Sequence, residues 1–131
     1  MNMPDVSVYV IDKDWDLLRS IKSFLDKKGF QVTTFFKWEI AFEAMKNYKP
    51  RIILLDVFLN SVGGVDGLNL CRKLKNSPYT RKIPVLLLSG AAKIDTRAVN
   101  DCGASDFIEK PFDFDELATK INSVLLSEEL K

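Results

Sequence analysis

The run Arg51-Ile-Ile-Leu-Leu-Asp56 constrains the fold of this chain more than any other feature of its sequence. Consecutive apolar residues without alternation describe a strand buried on both faces, as in a parallel sheet covered by helices on each side. In open sheets of that kind, ligand chemistry collects beyond the carboxyl ends of the strands. Asp56 ends the run and is therefore expected at the edge where the sheet presents functional groups. The rest of the chain must then supply helices for both faces and partners for that carboxylate.

The helices are present in the pattern. Val6 to Ile11 is a β-rich run, and after a polar cluster Leu17, Leu18, Ile21, Phe24 and Leu25 recur at helical spacing up to Gly29, a good residue for closing a helix. Phe30 to Phe36 predicts a second strand. Trp38, Ala41, Phe42 and Met45 predict a helix that ends before Pro50. Beyond Asp56 a loop, Val57 to Asp66, leads to a helix carrying Leu68, Leu70, Cys71 and Leu74, which Asn76-Ser-Pro78 breaks. Pro84 to Leu88 predicts the fourth strand, with Ser89 at its end, and Lys93 to Cys102 a weaker helix closed by Gly103. Asp106 to Glu109 is a short fifth strand running into Lys110-Pro111, and Phe114, Leu117, Ile121, Val124 and Leu125 mark a final amphipathic helix. Strict alternation predicts an α/β fold, a doubly wound five-stranded parallel sheet with five helices, flavodoxin-like in the order 2-1-3-4-5.

At 131 residues the chain is expected to be a single domain, 1–131, with its core at about 6–126. Its 19 basic and 18 acidic residues leave no electrostatic footprint of a nucleic-acid binder, and no local run supplies one. There is no histidine, which excludes histidine acid/base catalysis, a Ser/His/Asp triad and a phosphohistidine carrier within this sequence. Any histidine donor must come from another molecule. Cys71 and Cys102 read as small buried residues in a reducing compartment. No signal-peptide pattern and no stretch of about 20 apolar residues is found, so the expectation is a soluble, cytoplasmic protein without membrane contact.

In the expected strand order, Asp12, Asp56 and Ser89 follow neighbouring strands and converge at the switch point, while Lys110 reaches in from the edge. An aspartate can attack a phosphoryl group if its surroundings cancel charge on the transferring oxygens; a hydroxyl, an ammonium and a Mg²⁺-binding carboxylate are suitable for that.

VYVID, IILLD, VLLLSG and GASDFIEKPF resemble the receiver domain of bacterial two-component response regulators over nearly the whole chain, Val6 to Leu126. The resemblance implies that Asp56 accepts a phosphoryl group from a partner histidine kinase or histidine phosphotransfer protein. It gives Ser89 and Lys110 contacts to that group, and Phe107 with Ser89 a switching role. Mg²⁺ would be held by Asp12, Asp56 and the backbone carbonyl of Phe58. Pro111 corresponds to a proline usually preceded by a cis peptide bond. Output would pass to a downstream protein through the fourth helix, fifth strand and fifth helix, with no nucleic acid bound by this domain and homodimerisation left open. Catalysis would be limited to self-phosphorylation and slow self-dephosphorylation.

The sequence departs from that family at Lys13, where an acidic metal ligand is usual. A site with three carboxylates and one lysine is formally −2, whereas Asp12, Lys13, Asp56 and Lys110 sum to zero. Unit charges 4 Å apart interact by about 4 kcal/mol at an effective dielectric near 20, so this change matters to a weak Mg²⁺ site. Three outcomes stand open: Asp14 turns inward as a replacement ligand; Lys13 itself replaces metal charge; or the chain is a pseudo-receiver that only binds proteins. The loop also differs, with Asn60 at a usual proline and about three extra residues around Ser61-Val-Gly-Gly64 before Asp66-Gly67. A remoter alternative is an Asp-nucleophile phosphatase. Val10-Ile-Asp12-Lys-Asp14 is similar to the Asp-x-Asp of haloacid dehalogenase-type enzymes, but Asp16 and the lack of an evident later acidic pair depart from that pattern.

Overall fold

The computed structural model describes residues 6–58, 67–90 and 95–131. Five strands, β1 (Ser7–Ile11), β2 (Gln31–Phe35), β3 (Ile52–Asp56), β4 (Val85–Ser89) and β5 (Asp106–Glu109), alternate with five helices. The helices are α1 (Trp15–Lys27), α2 (Trp38–Met45), α3 (Gly67–Asn76), α4 (Thr96–Cys102) and α5 (Phe114–Glu129). All strand pairs are parallel, in the order β2-β1-β3-β4-β5. The sheet is the doubly wound one that the alternation predicts.

The unbroken apolar run of β3 now has its physical reason. Ile53 and Leu55 pack on the side of α2, α3 and α4, whereas Ile52 and Leu54 pack on the side of α1 and α5, and all four are fully buried. A polar residue at any of them would face a core, since neither side of the sheet meets water. The same alternation runs through β4, where Val85 and Leu87 join one core and Leu86 and Leu88 the other. α1 and α5 contribute Leu18, Ile21, Leu25, Leu117 and Ile121 to theirs.

Helix ends follow local chemistry. Gly29 lies just beyond α1 at φ 94°, the left-handed conformation that glycine adopts without a Cβ penalty, and Gly103 closes α4 at φ 86°. α4 is shorter than the apolar pattern predicts. Asp95 is extended and its side chain accepts the Arg97 N–H at 2.9 Å, so the helix begins at Thr96; Lys93 lies outside the described residues. Cys71 and Cys102 are buried free thiols on α3 and α4, with the Cys71 thiol donating to the Cys102 carbonyl at 3.3 Å. Among the described residues no helix is long and apolar enough to cross a membrane.

Candidate functional site

Register carries the site residues to one edge of the sheet. β1, β3 and β4 are neighbours, Asp56 pairs with Leu88, and Ser89 pairs with Glu109, so the carboxyl ends of these strands stop at one level. Asp12 follows β1 and is tied by its N–H to the Phe35 carbonyl at 3.1 Å. The Lys110 N–H donates to the Ser89 carbonyl at 2.7 Å, which extends the β4–β5 ladder by one residue and brings the lysine alongside β4. The Lys110–Pro111 peptide bond is cis, as the resemblance implies.

From there the Lys110 ammonium crosses to the other two strands. Its Nζ lies 2.7 Å from Asp12 Oδ2 and 3.4 Å from Asp56 Oδ1. Asp12, Asp56 and Ser89 are buried, whereas the lysine side chain stays 23% exposed. Asp12 Oδ1 accepts the Asp14 N–H at 2.9 Å, and Asp56 Oδ1 accepts the Phe58 N–H at 3.2 Å. Asp56 Oδ2 is the remaining acceptor; it is buried and has no hydrogen-bond partner.

Two carboxylates sharing one ammonium leave the Asp56 charge incompletely compensated. Burial, and then the neighbouring Asp12, push the Asp56 carboxyl above its ordinary value; Lys110 and the Phe58 N–H oppose this. The unpaired Oδ2 and the repulsion from Asp12 are what a hard cation would relieve. The donor set therefore fits Mg²⁺, which binds oxygen and needs only one or two protein carboxylates. Asp12 and Asp56 are the side chains that could hold it. Among the described residues no cluster of three or more acidic, cysteine or histidine side chains could do so.

The remaining sequence candidates separate. Asp14 is exposed and caps α1, its Oδ1 accepting the Asp16 and Leu17 N–H groups at 3.1 Å each. Lys13 is exposed and forms no ion pair among the described residues, and Asp12 pairs with Lys110 instead. Phe107 is half-buried on β5, with Lys120 Nζ 5.9 Å from its ring centroid and paired with Asp106 at 3.3 Å. Asn60, Asp66 and the inserted glycines lie outside the described residues.

Two packing features of the site escape the sequence pattern. Gly67 opens α3 directly against β3: a Cβ there would collide with the Asp56 carbonyl and the Val57 backbone. The ring of Phe58 passes over Gly90, 3.4 Å from where a Cβ would stand. Both glycines mark close approach, a meaning that a single sequence does not separate from loop flexibility. Trp15 stacks on Phe36 with centroids 4.7 Å apart and planes 9° apart, joining the start of α1 to the loop after β2. Phe36 carried no signal beyond the end of a strand.

The family model of the response regulator receiver domain matches residues 8–122. The chain belongs to this family. The receiver is 30% identical over 121 residues to the heme response regulator HssR of Staphylococcus epidermidis, covering 92% of this chain and 51% of that protein. It is 36% identical over 115 residues to the transcriptional regulatory protein CseB of Streptomyces avermitilis, covering 86% of this chain and 46% of that one. The chain thus spans about half the length of these curated relatives. Among solved structures, the receiver domain of NtrX from Brucella abortus superposes with a TM-score of 0.80 at 31% identity, over 90% of this chain and 97% of that one. A response regulator from Chloroflexus aurantiacus gives 0.84 at 26% identity, over 94% and 99%. Receivers of this family act in two-component signalling, which leaves the phosphatase alternative without support.

Proposed function

We propose that this receiver, read as a single domain, accepts a phosphoryl group on Asp56 from the phosphohistidine of a partner histidine kinase or histidine phosphotransfer protein. The observation that carries the reading is the buried, unpartnered Asp56 Oδ2 beside a lysine that bridges it to Asp12. An Asp56 oxygen attacks phosphorus in line, the P–N bond breaks, and the imidazole leaves with its electron pair. Raised basicity strengthens the carboxylate as a nucleophile wherever it is ionised. The Lys110 ammonium, already within 3.4 Å, neutralises charge on the transferring oxygens, and the Ser89 hydroxyl donates from the next strand end. Mg²⁺, when bound by Asp12, Asp56 and the Phe58 carbonyl, supplies further neutralisation of those oxygens.

Phosphorylation of Asp56 gives Lys110 anionic phosphoryl oxygens in place of the carboxylate and sets acceptor oxygens next to Ser89, which biases the α4–β5–α5 side toward a different downstream partner through Phe107. The reading places the protein in the cytoplasm, with no nucleic acid or membrane bound by this domain. Lys13 lends nothing to an interaction-only reading here, because its ammonium contacts neither Asp12 nor Asp56. Acetyl phosphate with Mg²⁺ tests the proposal: the intact mass rises by one phosphoryl group in the native chain and not in Asp56→Asn. No increase with any divalent metal would overturn it.

A further inference from the structure

The pole opposite Asp56, where β3, β4 and β5 begin, opens onto a groove of about 1310 Å³. Six cations line it, Lys49, Arg51, Lys75, Arg81, Lys82 and Lys131, against two acids, Asp106 and Glu128. A chain of formal charge +1 thus gathers a formal +4 (six minus two) around one concavity. The cations come from the α2–β3 connection, the last turn of α3 with the connection to β4, and a residue beyond α5, so no run in the sequence reveals them.

Pairing within the fold leaves most of that charge uncompensated. Arg51 reaches Glu129 at 3.8 Å and Lys131 reaches Glu128 at 3.2 Å, but Lys49, Lys75, Arg81 and Lys82 form no ion pair among the described residues. The turn that carries Arg81 and Lys82 is also held in place. Lys75 Nζ donates to the Ile83 and Arg81 carbonyls at 2.6 and 3.2 Å, the Thr80 hydroxyl donates to the Leu74 carbonyl at 2.6 Å, and the Arg81 N–H donates to the Ser77 carbonyl at 2.9 Å. A fixed turn loses little entropy on binding. Beside it the Tyr79 ring stands 73% exposed, with Lys49 Nζ 5.6 Å from its centroid.

We propose that this groove docks an acidic peptide segment of a partner protein, with apolar side chains spaced between its carboxylates. Charge sets the acidic part. The apolar part follows from Pro78, Tyr79 and Pro84, which share the lining with the lysines. A phosphodiester backbone offers no apolar side chain to such a wall. A single inorganic anion is too small to meet cations drawn from three separate segments. The groove lies at the far end of the strands from Asp56, so a segment bound there leaves the phosphorylation edge open.

The test is fluorescence anisotropy with a labelled peptide that repeats Glu-Glu-Leu. The native chain is expected to bind it, with affinity falling as salt rises. Arg81→Glu combined with Lys82→Glu is expected to weaken binding tenfold or more, while Lys27→Glu combined with Lys37→Glu, an equal change of charge elsewhere, leaves it within twofold. A peptide repeating Glu-Glu-Ser is expected to bind more weakly than the leucine peptide. Absence of binding by the native chain, equal losses in both double variants, or tighter binding of a thymidine dodecamer than of the peptide would each overturn the proposal. Far-UV circular dichroism of each variant separates lost docking from lost folding.

Discussion

Asp56→Asn should stabilise the native state near neutral pH, because it removes a charge that the pocket does not fully compensate while keeping the side chain's shape. At an effective dielectric near 20, the Lys110 contact at 3.4 Å attracts Asp56 by about 5 kcal/mol and the 2.7 Å contact attracts Asp12 by about 6 kcal/mol. These gains are offset by removing both carboxylates from water, and a single ammonium serves the two of them. Asparagine keeps Oδ1 for the Phe58 N–H and for Lys110, and Lys110 keeps its shorter bond to Asp12. What is lost is one long charge-assisted contact to a partly exposed, solvent-screened ammonium. A net gain on the order of 1–2 kcal/mol follows, or about 3–8 °C in Tm for a chain of this size. The pH dependence fixes the sign. The folded Asp56 carboxyl has its pKa raised above 3.8, so below that value both states are protonated and no penalty exists. The penalty grows as pH rises from 3.8 through the raised folded value and is complete above it. Urea denaturation followed by circular dichroism, in EDTA, should therefore show a gain for Asp56→Asn at neutral pH that shrinks toward pH 4. A variant less stable than the native chain at neutral pH, or a gain that persists unchanged in acid, would refute the reasoning.

Lys13→Asp changes the formal charge of the site from zero to −2 and should tighten Mg²⁺ binding by about tenfold or more, read by titration calorimetry; equal affinities would remove Lys13 from the electrostatics of the site. Gly67→Ala places a methyl group against the Asp56 carbonyl and Val57 backbone and should cost more than about 2 kcal/mol in urea denaturation. Leu54→Ala, at a fully buried position in the middle of β3, should cost about 2–5 kcal/mol. Cys71 and Cys102 should resist a thiol reagent until the protein is unfolded, since both are buried and burial raises the Cys71 thiol pKa further from neutrality.

The architecture was legible because the central strands β3 and β4 are short, apolar, buried runs bounded by turn chemistry, so their pattern had one interpretation. Convergence of Asp12, Asp56, Ser89 and Lys110 followed from strand order alone, as every one of them sits at or just beyond a strand end. What could not be read was geometry at the scale of a single atom. Nothing in the sequence says that Lys110 prefers Asp12 to Asp56, because both are strand-end carboxylates, nor that Asp56 Oδ2 is left without a donor. Gly67 and Gly90 carry no packing signal in the sequence and are positions where backbone or a Phe58 ring comes close. The basic groove was invisible for a different reason: its lysines and arginines are scattered over more than 80 positions and meet only because parallel strands return to the same level.

Lys13 and Asp14 show why the charge of the site does not correct itself locally. An inward turn of Asp14 would restore a third carboxylate, yet its Oδ1 accepts two N–H groups at the start of α1, and loss of such a cap costs about 1 kcal/mol. The Asp14 N–H is also the donor that holds Asp12 Oδ1, so rotating that segment would loosen the carboxylate that anchors Lys110. Three N–H donors and two carboxylate acceptors would be disturbed to gain one ligand. The arrangement that remains has Asp12 paired with Lys110, Asp56 under-compensated and Lys13 turned to solvent. Any gain in cation binding must then come from position 13 itself, or from ligands carried by an incoming phosphoryl group, whose own negative oxygens raise the charge that Asp12 and Asp56 present.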